Sequence, residues 1–155
     1  MFILARKILI DLDVLTLAFW DKKDPTGIVK RISKGEFDMF TPYILFEHLS
    51  QWDHKSLAFE IADFYQRFSS SIVTAKNLFE RLEELKIDYK AILFELLSKD
   101  VKEEDAVLVV VSSVFDIDFL VTYNKRHLKN RQPEINEVLK KNGLKTIRIV
   151  SPEEL

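Results

Sequence analysis

Ile8-Leu9-Ile10-Asp11-Leu12-Asp13 is an apolar run that ends abruptly in two carboxylates. A run this short and this rich in branched aliphatic residues reads as a strand buried on both faces, and open α/β sheets bind ligands at the carboxyl ends of such strands. Asp11 is therefore expected to face a crevice. Because Asp is a favoured N-cap, the alternative is that Asp11 or Asp13 only caps a helix beginning near Val14. Other acids sent to the same place would decide between the two.

Outward from this stretch, Val14 to Trp20 has helical spacing, and Asp24-Pro25 followed by Thr26 opens a short helix that stops toward Lys34-Gly35. Phe37 to Thr41 is expected to be a strand, with Thr41-Pro42 starting a helix that carries Glu47 about one and a half turns in. Lys55 to Phe68 follows as an amphipathic helix with Leu57, Ile61, Phe64, Tyr65 and Phe68 on one stripe. Ser71 to Thr74 is a third strand, and Ala75 to Leu85 and Tyr89 to Leu97 are two helices. The run from Lys102 through Ala-Val-Leu-Val-Val-Val suits a strand or a helix. The acids Glu103, Glu104 and Asp105 at its start favour a helix, with Asp105 in the first turn and Val109 and Ser112 on the same face. Asp118 to Thr122 is a strand followed by polar Tyr123-Asn124-Lys125-Arg126-His127, Pro133 to Asn142 a helix stopped by Gly143, and Thr146 to Val150 a last strand before a turn at Ser151-Pro152-Glu153-Glu154. Alternating strands and helices predict one α/β domain over residues 1–155, three-layered α/β/α, with a central parallel sheet of about five strands.

Composition narrows the chemistry. The 155 residues are enough for one well-buried core, and the absence of cysteine removes disulfides, zinc-thiolate sites and thiol nucleophiles. Three scattered glycines build neither G-x-G-x-x-G nor a P-loop. Arg6-Lys7 and Asp11 interrupt the apolar start short of a secretory signal, and the stretch from Ala106 to Phe115 is too short to span a bilayer, so a soluble cytoplasmic protein with no membrane partner is expected. The net charge of −2 hides an asymmetry: residues 124–148 carry eight Lys/Arg against Glu134 and Glu137. A basic tail beside an acidic crevice suits a polyanion held near a metal, although it also suits a solvated helix face.

Asp11, Glu47, Asp105 and Asn124 all fall at strand ends or near the starts of helices, positions that converge on one edge of a parallel sheet. Three carboxylates about 5 Å apart at an effective dielectric near 20 repel by roughly 3 kcal/mol per pair. A divalent cation reverses that sign, and hard ions such as Mg²⁺ or Mn²⁺ prefer oxygen ligands.

With these motifs in place the chain resembles the PIN-domain ribonucleases, a family that includes the VapC-type toxins of toxin–antitoxin pairs. The family's strand running into D-[TS]-[ND]-x-L is matched by Asp11-Leu12-Asp13-Val14-Leu15, and its second acid by Thr41-Pro42 through Glu47. Its Asp-Ala helix start is matched by Asp105-Ala106, and its D-x-[LV]-V-T-x-[DN] by Asp118 through Asn124, with Lys125-Arg126-His127-Leu128 as the basic follow-on. Leu12 departs from the usual hydroxyl residue and Asn124 from a frequent fourth acid. The resemblance implies Mg²⁺- or Mn²⁺-assisted hydrolysis of RNA, with Asp11 and Asp105 as metal anchors, Glu47 as a further ligand and Asn124 as a neutral ligand or positioner. Asp13, Thr122 and Asp118 are secondary, Thr122 as a partner of a ligand carboxylate, while Lys125, Arg126 and Lys129 hold phosphates. A homodimer is implied, with apolar surface around Phe59, Phe64 and Phe68 available for it or for an antitoxin protein. His48 and His54 take no role, and His127 is read as packing or capping ahead of substrate contact.

Other readings fit less well. A haloacid-dehalogenase-type phosphatase needs Gly and Thr where Val14 and Leu15 stand, and a receiver-type phosphoacceptor needs Lys where Ser151-Pro152 follows the last strand. The non-enzymatic alternative is a PIN-like module that binds RNA or a protein without cutting.

Overall fold

The structure, a computed structural model, describes residues 5–20, 24 and 26–155. Pro25, expected to open the second helix, and the first four residues of the apolar start lie outside the described residues. Strands β1 (Arg6–Ile10), β2 (Phe37–Pro42), β3 (Ser69–Val73), β4 (Phe119–Val121) and β5 (Ile149–Val150) form an all-parallel sheet in the order β3-β2-β1-β4-β5. Helices α1 (Leu12–Trp20), α2 (Ile28–Ser33), α3 (Tyr43–Ser50) and α4 (Lys55–Phe68) make the crossovers that build the sheet outward from β1 to β3. The long return to β4 runs through α5 (Ala75–Glu84), α6 (Tyr89–Ser98) and α7 (Glu103–Val114), and α8 (Gln132–Lys141) leads to β5. α1 and α3 pack on α4, whereas α5, α6, α7 and α8 pack among themselves, which gives the expected three-layer α/β/α arrangement.

The order reverses between β1 and β4, so the loops at their carboxyl ends diverge and leave a crevice. Register fixes what lines it. Ile10 pairs with Val121, and the Asp11 amide donates to the Val121 carbonyl at 2.9 Å, setting Asp11 level with Thr122. The buried Tyr65 hydroxyl on α4 donates to the Ile10 carbonyl at 2.6 Å and pins the end of β1 from the helical layer. Tyr65→Phe leaves that carbonyl without this donor and is expected to cost about 1–2 kcal/mol, read as a lower urea midpoint at unchanged slope. An unchanged midpoint would show that Ile10 is held by the ladder alone.

The ambiguous run at 102 is helical, and its ten residues from Asp105 to Val114 are all buried. A helix apolar on every side can occupy only an interior position, which explains why periodicity was mute there. Boundaries shift for identifiable reasons. β2 continues through Thr41 and Pro42 because both stay in register with Ile72 and Val73 of β3, and the buried Thr41 hydroxyl shares a 2.6 Å hydrogen bond with Ser69 instead of capping a helix. Thr74 lies outside its expected strand and caps α5 in a reciprocal box with Asn77. β5 is shorter than Thr146–Val150 because the Asn136 side chain takes both backbone groups of Ile147, and Gln132 takes the Ile149 amide. Among the described residues no helix is long and apolar enough to cross a membrane.

Candidate active site at the sheet switch point

Asp11 follows β1 directly and α1 begins at the next residue. Its Oδ1 accepts the Leu12 amide at 2.8 Å and its Oδ2 accepts the Thr122 hydroxyl at 2.8 Å. Asp13, in the first turn of α1, points the same way, its Oδ2 accepting the Tyr123 amide at 3.1 Å and the Thr122 hydroxyl at 3.3 Å. Asp11 thus serves the start of α1 as the capping reading expects, and in addition both carboxylates reach across to the end of β4. Thr122 is fully buried, and its oxygen also accepts the Asn124 amide at 3.0 Å. One hydroxyl thus ties together both acids and the following turn.

Asp105 enters from α7 and is buried. Asn124 Nδ2 donates to its Oδ2 at 3.1 Å, while Asn124 Oδ1 accepts the His127 amide at 3.0 Å. The amide's orientation follows from the second bond, since a backbone N–H needs an oxygen. Asn124 consequently presents a donor to Asp105 and holds that carboxylate in place.

Burial raises the pKa of all three acids, and a neighbouring carboxylate adds to it in each case, Glu104 for Asp11 and Asp11 for Asp13 and Asp105. Asp105 is pushed up to about 6, by burial first and then by the charges of Asp11 and Glu104. Asp13 is pushed up to about 7, again by burial first and then by Asp11. Burial raises Asp11 too, opposed by its bonds to Thr122 and Leu12 and by His48. Such a cluster is short of positive charge.

Glu47 is not brought into it. The side chain is exposed, and among the described residues it makes no hydrogen bond or ion pair. Leu45 and Leu49 fix the inward face of α3. Glu47 is two residues from each, and at 100° per residue that turns it outward, leaving His48 beside the buried stripe. His48 Nε2 lies 3.7 Å from Glu104 Oε1, and the charges of both act on Asp11. These two side chains, unassigned from the sequence, occupy the flank where Glu47 was expected. Glu104 was readable only as an acid favouring the start of α7.

Asp118 lies at the opposite end of β4, where its Oδ2 accepts the Lys7 amide at 2.8 Å and extends the ladder. Its place in the motif reflects strand pairing. Lys129 is ion-paired with Glu154, whereas Lys125 and Arg126 are exposed and have no ion pair among the described residues. His127 Nδ1 lies 2.8 Å from the Asp100 carbonyl and His54 Nδ1 accepts the Leu57 amide at 3.1 Å, so both are structural. Phe64 packs against Phe19 and Phe68, leaving Phe59 as the exposed aromatic of the expected dimer patch.

Among the described residues no three His, Asp or Glu side chains form a ready-made metal cage. Mg²⁺ does not require one, since it keeps several waters and takes one or two carboxylates plus substrate phosphate. Asp11 and Asp105 fit that requirement: each is held by a hydrogen-bond donor, and each is disfavoured as an anion without a cation. No protein-family model, curated protein or solved structure matches the chain.

Proposed function

We propose that this chain is a PIN-like, Mg²⁺- or Mn²⁺-dependent endoribonuclease, with the toxin of a toxin–antitoxin pair as the setting its resemblance implies. The observation that carries the reading is the meeting of Asp11 and Asp105, from elements far apart in sequence, at the switch-point crevice, where each is destabilised as an anion. Asp11 and Asp105 would hold the ion. Bound there, the ion would stabilise charge on the phosphoryl oxygens and ease deprotonation of water. Thr122 fixes Asp11 through its hydroxyl, and Asn124 fixes Asp105 through its amide. Lys125 and Arg126, exposed just past Asn124, meet the flanking phosphates.

The test is cleavage of a mixed, structured RNA pool by the purified chain with Mn²⁺, with Mg²⁺ and with EDTA. Cleavage restricted to the metal-containing reactions is expected. Cleavage that persists in EDTA would remove the acids from the chemistry. A second reading, the non-cleaving PIN-like module, is favoured by one observation: the outward turn of Glu47 leaves one expected metal ligand out of the cluster. RNA binding without cleavage under every metal condition is the result that selects it.

A further inference from the structure

Beside the acid cluster lies an apolar groove of about 510 Å³ lined by Leu12, Asp13, Thr16, Leu17, Trp20 and Trp52. Its walls come from α1 and from the turn after α3. Trp20 is 60% exposed, an unusual position for an indole, and is steadied by an edge-to-face contact with His54 at 5.1 Å between ring centroids. Leu17 is exposed as well, and Trp52 packs partly against the core. Asp13 belongs to both places. Its Oδ2 is bound at the end of β4, whereas its buried Oδ1 has no hydrogen-bond partner among the described residues.

We propose that this groove is the subsite for one nucleobase of a single-stranded RNA, that of the nucleotide next to the scissile phosphate. The inference rests on the nuclease reading, which puts a phosphate at Asp11 and Asp105. A chain threaded through that cleft passes the shared wall formed by Leu12 and Asp13, so its neighbouring residue falls at the groove. Leu12, Leu17, Trp20 and Trp52 give the groove apolar walls, which suit the uncharged part of a polyanion. A base has an apolar face for the exposed indole of Trp20. A base still stacked in a duplex offers no free face, so the substrate at this position is single-stranded.

The chain's two tryptophans both line this groove, so intrinsic fluorescence reports its occupancy directly. The experiment titrates a single-stranded RNA octamer of mixed sequence, end-labelled with fluorescein, into the protein in EDTA and, in parallel, with Ca²⁺ in the place of Mg²⁺. Tryptophan emission and label anisotropy are followed together. Saturable quenching that tracks the anisotropy is expected, and Trp20→Ala is expected to weaken binding about tenfold, within the range of a single base–aromatic stack. Trp52→Phe conserves an aromatic ring at the packed position and leaves Trp20 as the sole reporter, which keeps the quenching arm usable even where Trp20→Ala misfolds by circular dichroism. Binding without quenching, equal affinity of wild type and a folded Trp20→Ala, or no RNA binding at all would each overturn the proposal and leave the groove to a protein partner. The nuclease reading is tested separately by metal-dependent cleavage: quenching without cleavage removes the catalysis and leaves a base-binding groove with no scissile phosphate beside it, whereas cleavage without quenching keeps the nuclease and removes the base site.

Discussion

Asp11→Asn is expected to abolish metal-dependent RNA cleavage and at the same time to stabilise the metal-free protein. The loss of cleavage follows if Asp11 anchors the ion, because a neutral amide offers a much weaker site to a hard divalent cation. The gain in stability has a separate origin. Asp11 is disfavoured as an anion by burial, and its charge raises the pKa of both Asp13 and Asp105. Asparagine removes all three penalties and is nearly isosteric. Its hydrogen bonds survive as well: Oδ1 continues to accept from Leu12, Nδ2 donates to the Thr122 hydroxyl, and that hydroxyl turns its own proton to Asp13 Oδ2. Relief of about 2 kcal/mol corresponds to a rise of about 4–8 °C in melting temperature for a chain of this size. Calorimetry in EDTA measures it. A lower melting temperature, or cleavage comparable to wild type, would show that Asp11 is a structural acceptor with no part in a charged site.

The metal-free protein is also expected to become more stable on acidification from pH 8 to pH 5, contrary to the usual behaviour of carboxylates paired with cations. The sign follows from proton counting. Asp105 titrates at about 6 and Asp13 at about 7 in the fold, against 3.8 in the unfolded chain, so between these values the folded state binds more protons. Stability therefore falls as pH rises through the folded values and is recovered as pH falls toward 4. After allowance for the solvent that reaches Asp13, the two groups together contribute on the order of 3 kcal/mol, or about 6–12 °C, across the window. Saturating Mn²⁺ is expected to flatten or reverse the slope, because a metal requires the ionised form. Asp11→Asn is expected to reduce it even in EDTA. Scanning fluorimetry from pH 5 to pH 8, with and without metal, distinguishes these cases, and a metal-free melting temperature that rises with pH would contradict the electrostatics of the site.

The strands and the placement of Asp11, Asp105 and Asn124 were readable because each sits at a punctuation mark. Asp11 ends an aliphatic run, Asp105 precedes an apolar one, and Asn124 follows a strand, so position along the sheet follows from local pattern. Glu47 lies inside a helix, where position along the axis says little without the rotational phase. That phase is set by Leu45 and Leu49 packing against the core, a tertiary fact. One residue is 100° of helix, enough to exchange Glu47 for His48 at the cleft. Asp118 illustrates the opposite difficulty: it matches the motif residue for residue, yet its carboxylate serves a strand-end hydrogen bond far from the acids. The groove was hidden for a third reason. Trp20 and Trp52 belong to different elements with no shared periodicity, and only the packing of α1 against the turn after α3 makes them one surface.

The bond from Thr122 to Asp11 spans 111 positions of the chain. While the protein is being synthesised, Asp11 has already emerged long before the segment that completes its surroundings, and until that segment docks it is a solvated carboxylate like any other. The pairing of β4 with β1 that buries Asp11 against Thr122 is a non-local one, of the kind that forms slowly because a long loop must close first. Closing the sheet at β1 and β4 is thereby expected to become easier wherever a proton or a cation offsets the charge of the acids gathered there.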